Sequence, residues 1–233
     1  MKKAILFDVD DTMYDQQKPF ADAILSIGLT SLPSSIIHPL YIRSRYYSDL
    51  LWDEYGRGEL TLQELRIERV RRAFKDFQLV MTNDDALLFQ QHYERNQAKI
   101  KPFPELLPLL SDLQSLNYEI GVLTNGPGSH QFAKIKTLGI LPYVKKEFIF
   151  ISDEVGVAKP NKQIFIHAAQ TLKIDDEDLV YVGDNWTNDI VPSSQLGWQA
   201  IWYNHRQHKR GTEDNPYVEI NKLDLVLDVL STN

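Results

Sequence analysis

The chain has 233 residues, enough for one large domain or a core with a modest insertion. Charged residues make up 24% and hydrophobic ones 43%, and the net charge of −7 leaves no basic footprint for a nucleic acid polymer or an anionic membrane. The absence of cysteine excludes disulfides, thiolate metal sites and cysteine nucleophiles. No apolar run approaches the ~20 residues of a membrane span. Asp8 also cuts the first apolar run too short for a signal segment, so a cytoplasmic location is expected.

Ala4-Ile5-Leu6-Phe7 leads directly into Asp8-Val9-Asp10-Asp11-Thr12, which reads as a buried strand over residues 3–7 opening onto an acidic loop. Read locally, an Asx-turn or N-cap cluster closing the strand is the lesser alternative to a reactive acid loop facing a cleft. After Asp15 the pattern turns helical to about Ala98. Phe20, Ile24 and Ile27 recur at helical steps with Pro19 in a first turn, and Gly28 and Pro33 break the pattern. Tyr41, Tyr46, Tyr47, Trp52 and Tyr55 form an aromatic set expected to pack inside a helix bundle, and Gly56-Arg57-Gly58 turns the chain. Thr61 to Glu64 spells a capping box. Behind it Ile67, Val70, Phe74 and Phe77 share one face, with Arg66, Arg69 and Arg72 expected as a solvated flank. A further helix is expected from about residue 83 through Leu87, Leu88 and Phe89. Residues 16–98 therefore read as an all-helical insertion in a core formed by 1–15 and 99–233.

From Lys101 strand and helix alternate. Helices are expected over 104–116, 129–138, 161–172 and from Asp184 to about 196, and strands over 118–123, 147–151, 178–182 and 199–203. A polar loop over 205–216 and a last helix near 223–230 complete the chain. Repeated β–α units with apolar strands imply an α/β fold with a doubly wound parallel sheet. On this map Asp8, Asp10, Thr124 and Asp184 sit at, or within two residues of, a strand's carboxyl end, and Lys159-Pro160 lies in a loop just before a helix. In a parallel sheet those ends share one edge, where ligands bind. Taken singly, Thr124-Asn125-Gly126 reads equally as a turn, Lys159 as a solvated lysine, and Asp184 to Asp189 as a helix cap with first-turn acids. The six histidines show no metal-ligand spacing.

Asp8-Val9-Asp10-Asp11-Thr12, Thr124-Asn125-Gly126, Lys159-Pro160 and Gly183-Asp184-Asn185-Trp186-Thr187-Asn188-Asp189 resemble, in that order, the four motifs of the haloacid dehalogenase (HAD) superfamily. The helical insertion resembles that superfamily's C1 cap. The resemblance implies a Rossmann-like core, Mg²⁺, and phosphoryl transfer from a small phosphorylated metabolite through an aspartyl phosphate. It makes Asp8 the expected nucleophile and Asp10 the acid that protonates the leaving oxygen and then activates water. Phosphoryl oxygens would be met by the Thr124 hydroxyl, the N–H groups of Asn125 and Gly126, and Lys159. The metal would be held by Asp8, Asp184 and the Asp10 main-chain carbonyl, with Asn188 and Asp189 holding metal waters or orienting Lys159. The chemistry is consistent with these residue types. Phosphate esters repel anionic nucleophiles, so catalysis is mostly positioning and charge neutralisation. A carboxylate nucleophile splits one displacement into two.

Within the superfamily, Asp10 argues against a dehalogenase, because a halide leaving group needs no proton. Asp11-Thr12 stands where sugar-phosphate mutases typically have Gly-Val. The stretch from Leu51 to Thr61, with Asp-Val-Asp-Asp-Thr, is similar to a branch of pyrimidine 5′-nucleotidases. The competing readings are a phosphoaccepting signalling module and a catalytically silent phosphate-binding relative, neither of which would turn over continuously. The sequence sets no oligomeric state.

Overall fold

The computed structural model describes residues 3–29, 32–213, 215 and 217–232. The chain divides into two compact units, one of Met1–Asp15 with Ile100–Asn233 and one of Gln16–Lys99. The first strand, β1 (Ala4–Phe7), is buried at all four positions, as a central parallel strand covered on both faces must be.

Among the described residues, the Gln16–Lys99 unit contains four helices: α1 (Gln17–Ser26), α2 (Ser34–Gly56), α3 (Leu62–Asp76) and α4 (Asn83–Gln97). Thr61 and Glu64 form the expected capping box, and Thr82 with Asp85 forms a second, so two helix starts have their free N–H groups satisfied locally. Phe20, Ile24, Leu40, Tyr41, Val70, Phe74, Phe89 and Tyr93 build a core of its own, with Phe20 meeting the Tyr41, Phe89 and Tyr93 rings edge-on.

Two expectations fail in this unit. Of the five aromatics of α2 only Tyr41 enters the core, because the buried face of that helix runs through Leu40, Tyr41, Ser44, Ser48 and Leu51. Tyr46 is 50% exposed, and Arg43 lies over the Tyr46 and Tyr47 rings instead. Nor is Arg69 part of a solvated flank. It turns inward, one position before the buried Val70, toward Ser48 and Gln90.

In the other unit α5 (Leu106–Ser115) precedes β2 (Glu119–Thr124) and α6 (Gly128–Thr137) precedes β3 (Ile149–Ile151). Then come α7 (Ser152–Val155), α8 (Lys162–Leu172), β4 (Leu179–Gly183), a π-helical turn (Trp186–Ile190), α9 (Val191–Ser194), β5 (Gln199–Tyr203), β6 (Val218–Ile220) and α10 (Leu225–Ser231). The six strands form one parallel sheet in the order β3-β2-β1-β4-β5-β6, the Rossmann-like α/β fold expected from the alternation. The register sets Phe7 beside Val122 and Val182, and Asp8 N–H extends the ladder to Val182 O at 2.9 Å. Three strand ends therefore finish side by side, at Asp8, Thr124 and Gly183.

The differences from expectation are local. Residues 146–148 form a 3₁₀ turn, so β3 begins at Ile149 rather than 147. The short α7 and the three-residue edge strand β6 were too brief for periodicity to reveal. The regular helix expected from Asp184 to 196 is replaced by the π-helical turn, in which Ile190 N–H reaches back to Asn185 O, followed by α9 with Pro192 in its first turn. Among the described residues, no helix is long and apolar enough to cross a membrane.

Candidate active site

The carboxyl ends of β1 and β4 bring Asp8, Asp184 and Asp189 together. One carboxylate oxygen from each lies within 4.8 Å of the others. Lys159, from the loop before α8, is buried among them. Its ammonium donates to Asp8 Oδ1 at 2.7 Å, Asp189 Oδ1 at 2.6 Å and the Tyr181 hydroxyl at 3.0 Å, so all three N–H bonds are used. Its main chain is fixed from β2's end: Asn125 Nδ2 donates to Lys159 O at 2.8 Å, and Lys159 N–H donates to Asn125 Oδ1 at 2.9 Å.

Asp189 is held from several sides by the π-helical turn. Its Oδ2 accepts from Asn185 N–H at 3.0 Å, its carbonyl from Ser193 Oγ at 2.6 Å, and its own N–H donates to Asn185 O at 2.8 Å. Gly183 makes this approach feasible, since a Cβ there would sit 2.5 Å from the Asp189 carboxyl carbon. Asp184 is anchored through its carbonyl, which accepts from Trp202 Nε1 at 2.8 Å. Asn188 enters through its main chain, whose N–H donates to Asn185 Oδ1 at 2.9 Å.

The electrostatics follow from burial. Burial first of all raises the Asp8 carboxyl to about 7, with Lys159 opposing and Asp189 and Asp10 reinforcing. Asp184 is also pushed well above the usual carboxylate range, by burial and then by the charges of Asp11, Asp8 and Asp189. Burial works against the Lys159 charge, but Asp189 and Asp8 hold it well above an ordinary lysine. Three carboxylates against one ammonium leave two negative charges when all are ionised. That donor set, all hard oxygen with a deficit of two positive charges, fits a divalent cation such as Mg²⁺.

Asp10 does not join this cluster through its side chain. Its carboxylate accepts from Lys134 Nζ at 2.7 and 2.9 Å, from Gln131 Nε2 at 3.1 Å and from the Tyr14 hydroxyl at 2.5 Å. Thr124 Oγ1 accepts from Gln131 Nε2 at 2.5 Å, which leaves its hydroxyl proton available to donate. The Gly126 N–H, expected to face a phosphoryl oxygen, is taken by Ser152 Oγ at 3.0 Å. One turn along the acidic loop, Asp11 is gripped by Arg206, which also reaches Asp15 at 2.6 Å. Burial alone would raise Asp11, but hydrogen bonds from Arg206 and His205 and their charges bring it down to about 2.

Sequence reasoning missed Lys134, Gln131, Tyr14, Tyr181 and Arg206. For two of them a signal was present. The buried face of α6 runs through Gly128, Gln131, Lys134 and Ile135, and a lysine and a glutamine at that spacing on an apolar face require buried partners.

A buried acid cluster at the carboxyl edge of a doubly wound sheet, with one lysine neutralising part of it, defines the class as an α/β protein with a strand-end carboxylate site suited to a divalent cation. The comparisons make this particular. Residues 2–197 match the family model of the haloacid dehalogenase-like hydrolases. The glyceraldehyde 3-phosphate phosphatase of Methanopyrus kandleri is 30% identical to it, covering 99% of this chain and 97% of that protein. The pyrimidine 5′-nucleotidase PynA of Streptococcus pneumoniae is 26% identical over 99% of this chain and 96% of its own. Among solved structures, that of the HAD-hydrolase YfnB of Bacillus subtilis bound to magnesium superposes with a TM-score of 0.74 at 25% identity, covering 98% of each chain. The chain belongs to the haloacid dehalogenase-like hydrolases, an enzyme family, as its four motifs suggested.

Proposed function

We propose that this enzyme is a Mg²⁺-dependent phosphatase that hydrolyses a small phosphorylated metabolite through an aspartyl phosphate on Asp8, with the helical unit as its cap. The observation that carries the reading is the Asp8–Asp184–Asp189 cluster bridged by Lys159, whose remaining charge suits a divalent cation and, through it, an anionic substrate. When bound by Asp8, Asp184 and the Asp10 carbonyl, the cation would neutralise charge on the transferring phosphoryl group. Asp8 attacks phosphorus as the bond to the leaving oxygen breaks, and Asp10 gives that oxygen its proton. Asp10 then takes a proton from water as the water oxygen attacks phosphorus, and the bond to Asp8 breaks, releasing phosphate. Thr124 donates to a phosphoryl oxygen, Lys159 does so with the N–H it gives up from Asp8 as Asp8 turns to phosphorus, and Tyr181, Asn125 and Asp189 keep Lys159 in place.

Asp10 also favours an oxygen leaving group over a halide, which departs without a proton. The relatives named above act on a triose phosphate and on pyrimidine nucleotides, and a phosphoglycolate phosphatase of Neisseria meningitidis is 27% identical over 85% of this chain. A small phosphate monoester is the class they share. The test is phosphate release from a panel of such esters with Mg²⁺ and with EDTA. Continuous release that needs the metal and is lost in Asp8→Asn, with the fold intact by circular dichroism, is expected. One phosphoryl group taken up without turnover would instead favour a phosphoaccepting module, and undiminished turnover by Asp8→Asn would overturn the nucleophile assignment.

A further inference from the structure

We propose that Gln131 is a positioning residue that serves the proton donor and the phosphoryl-binding hydroxyl with one amide group, a role that rests on the phosphatase reading above. Gln131 stands on α6 and is 1% exposed. Its Nε2 lies 3.1 Å from Asp10 Oδ2, in the loop after β1, and 2.5 Å from Thr124 Oγ1, at the end of β2. A side-chain amide carries two N–H bonds on that nitrogen, and each of these contacts takes one.

The carboxylate decides which way both bonds run. An ionised Asp10 only accepts, so the amide must turn its NH₂ group toward Asp10 and not its oxygen. That nitrogen accepts nothing, so Thr124 must accept from it as well, and the single hydroxyl proton of Thr124 is left for another acceptor. Holding Asp10 therefore also fixes Thr124 as a donor, the form a phosphoryl oxygen requires. Gly126 makes room for this. Its φ is +140°, and a Cβ there would lie 3.1 Å from Gln131 Cγ. The glycine that follows Thr124-Asn125 gives its own N–H to Ser152 and admits the side chain that orients Thr124. Lys134 and Tyr14 also hold Asp10, so that carboxylate keeps strong anchors when the amide is removed.

Gln131→Leu, which removes both donors, is compared with full-length wild type after circular dichroism shows it folded. Gln131→Met, as long as glutamine and equally without donors, stands beside it as a second variant. In the first arm kcat/KM is measured with Mg²⁺ for 2-hydroxyethyl phosphate, whose alkoxide needs a proton to leave, and for p-nitrophenyl phosphate, whose phenolate does not. Loss through Thr124 falls on both esters, whereas loss through Asp10 falls on the first. The alkyl ester should therefore fall roughly tenfold further than the aryl one. A side chain that only filled the core would lower both alike. The second arm needs no turnover. Affinity for inorganic orthovanadate with Mg²⁺ is measured by calorimetry for wild type, Gln131→Leu, Thr124→Val and the double variant. Each single change should weaken binding about fivefold to tenfold, and the double variant no further, because both remove the same contact. Wild type that binds orthovanadate but releases phosphate from no ester refutes the phosphatase reading; shared losses in this arm then support the Thr124 role by themselves, and separate losses overturn it. The proposal is overturned if the two esters fall alike, if the orthovanadate losses add, if Gln131→Leu leaves binding unchanged, or if wild type does not bind orthovanadate.

Discussion

At Asp8, chemistry and stability should conflict measurably. The residue is 5% exposed and its pKa rises from 3.8 to about 7, with burial as the main cause. The folded protein therefore keeps this proton at pH values where the unfolded chain has released it. In the absence of metal, stability should be greatest below pH 4 as far as this group is concerned and fall as pH climbs through about 7. At about 1.4 kcal/mol per tenfold change in ionisation, that rise corresponds to about 4 kcal/mol above pH 7. Asp8→Asn removes the ionisation while retaining an acceptor for Lys159. In EDTA at pH 8 it should be more stable than wild type by up to about 4 kcal/mol, with the gap shrinking toward pH 5. Urea unfolding of both proteins from pH 5 to 8 reads this directly. Mg²⁺ should then stabilise wild type more than the variant, because a ligand that binds only the folded state stabilises it by mass action. A variant less stable than wild type in EDTA at pH 8, or a gap that does not change with pH, would refute the reasoning.

Asp11 carries the opposite sign. Its depressed pKa supplies stability above pH 4 that is lost as pH falls through about 2. Asp11→Asn should therefore cost roughly 2 kcal/mol at pH 7 by urea unfolding, and less at pH 3. Gly183→Ala inserts a methyl against the Asp189 carboxyl, which should cost roughly 1–3 kcal/mol and lower kcat by shifting the acid that holds Lys159. An unaltered melting midpoint and kcat would contradict that. Lys134→Met takes from Asp10, whose side chain is 14% exposed, its ammonium partner and leaves the bonds from Gln131 and Tyr14. The expected result is a loss of roughly 2 kcal/mol in unfolding experiments, discounted from the fully buried case because Asp10 reaches solvent. A fall in kcat larger than any change in KM should accompany it.

What could be read from the sequence was whatever repeats or sits at a strand end. Apolar runs followed by Asp8, Thr124 and Asp184 fixed the edge on which they meet, because parallel strands have their carboxyl ends in common. The capping boxes at Thr61 and Thr82 carry their own geometry within four residues, and only the first was recognised. Tyr181 was hidden for a different reason. In an apolar strand it counts as one more large residue, and nothing in Leu-Val-Tyr-Val-Gly shows that its hydroxyl will meet Lys159 and the Leu123 carbonyl. Arg206 lay in a polar loop, where an arginine is ordinarily solvated, and its partners Asp11 and Asp15 are some 190 residues earlier.

The π-helical turn shows most clearly why periodicity was insufficient at the site. A regular helix from Asp184 to 196 would pair each N–H with the carbonyl four residues back, and Asp189 would be one first-turn acid among several. Instead the wider turn sends Ile190 N–H to Asn185 O and lets the Asp189 side chain fold back onto the Asn185 N–H. Its other oxygen is thereby free to receive Lys159. Gly183 accommodates the carboxyl, Ser193 ties down the Asp189 carbonyl, and Pro192 starts the short α9 without needing the N–H a longer helix would have used. The departure from regular structure thus converts Asp189 from a helix-capping acid into a partner of Lys159 beside Asp8, the kind of local irregularity that recurs where a backbone must serve a reactive centre.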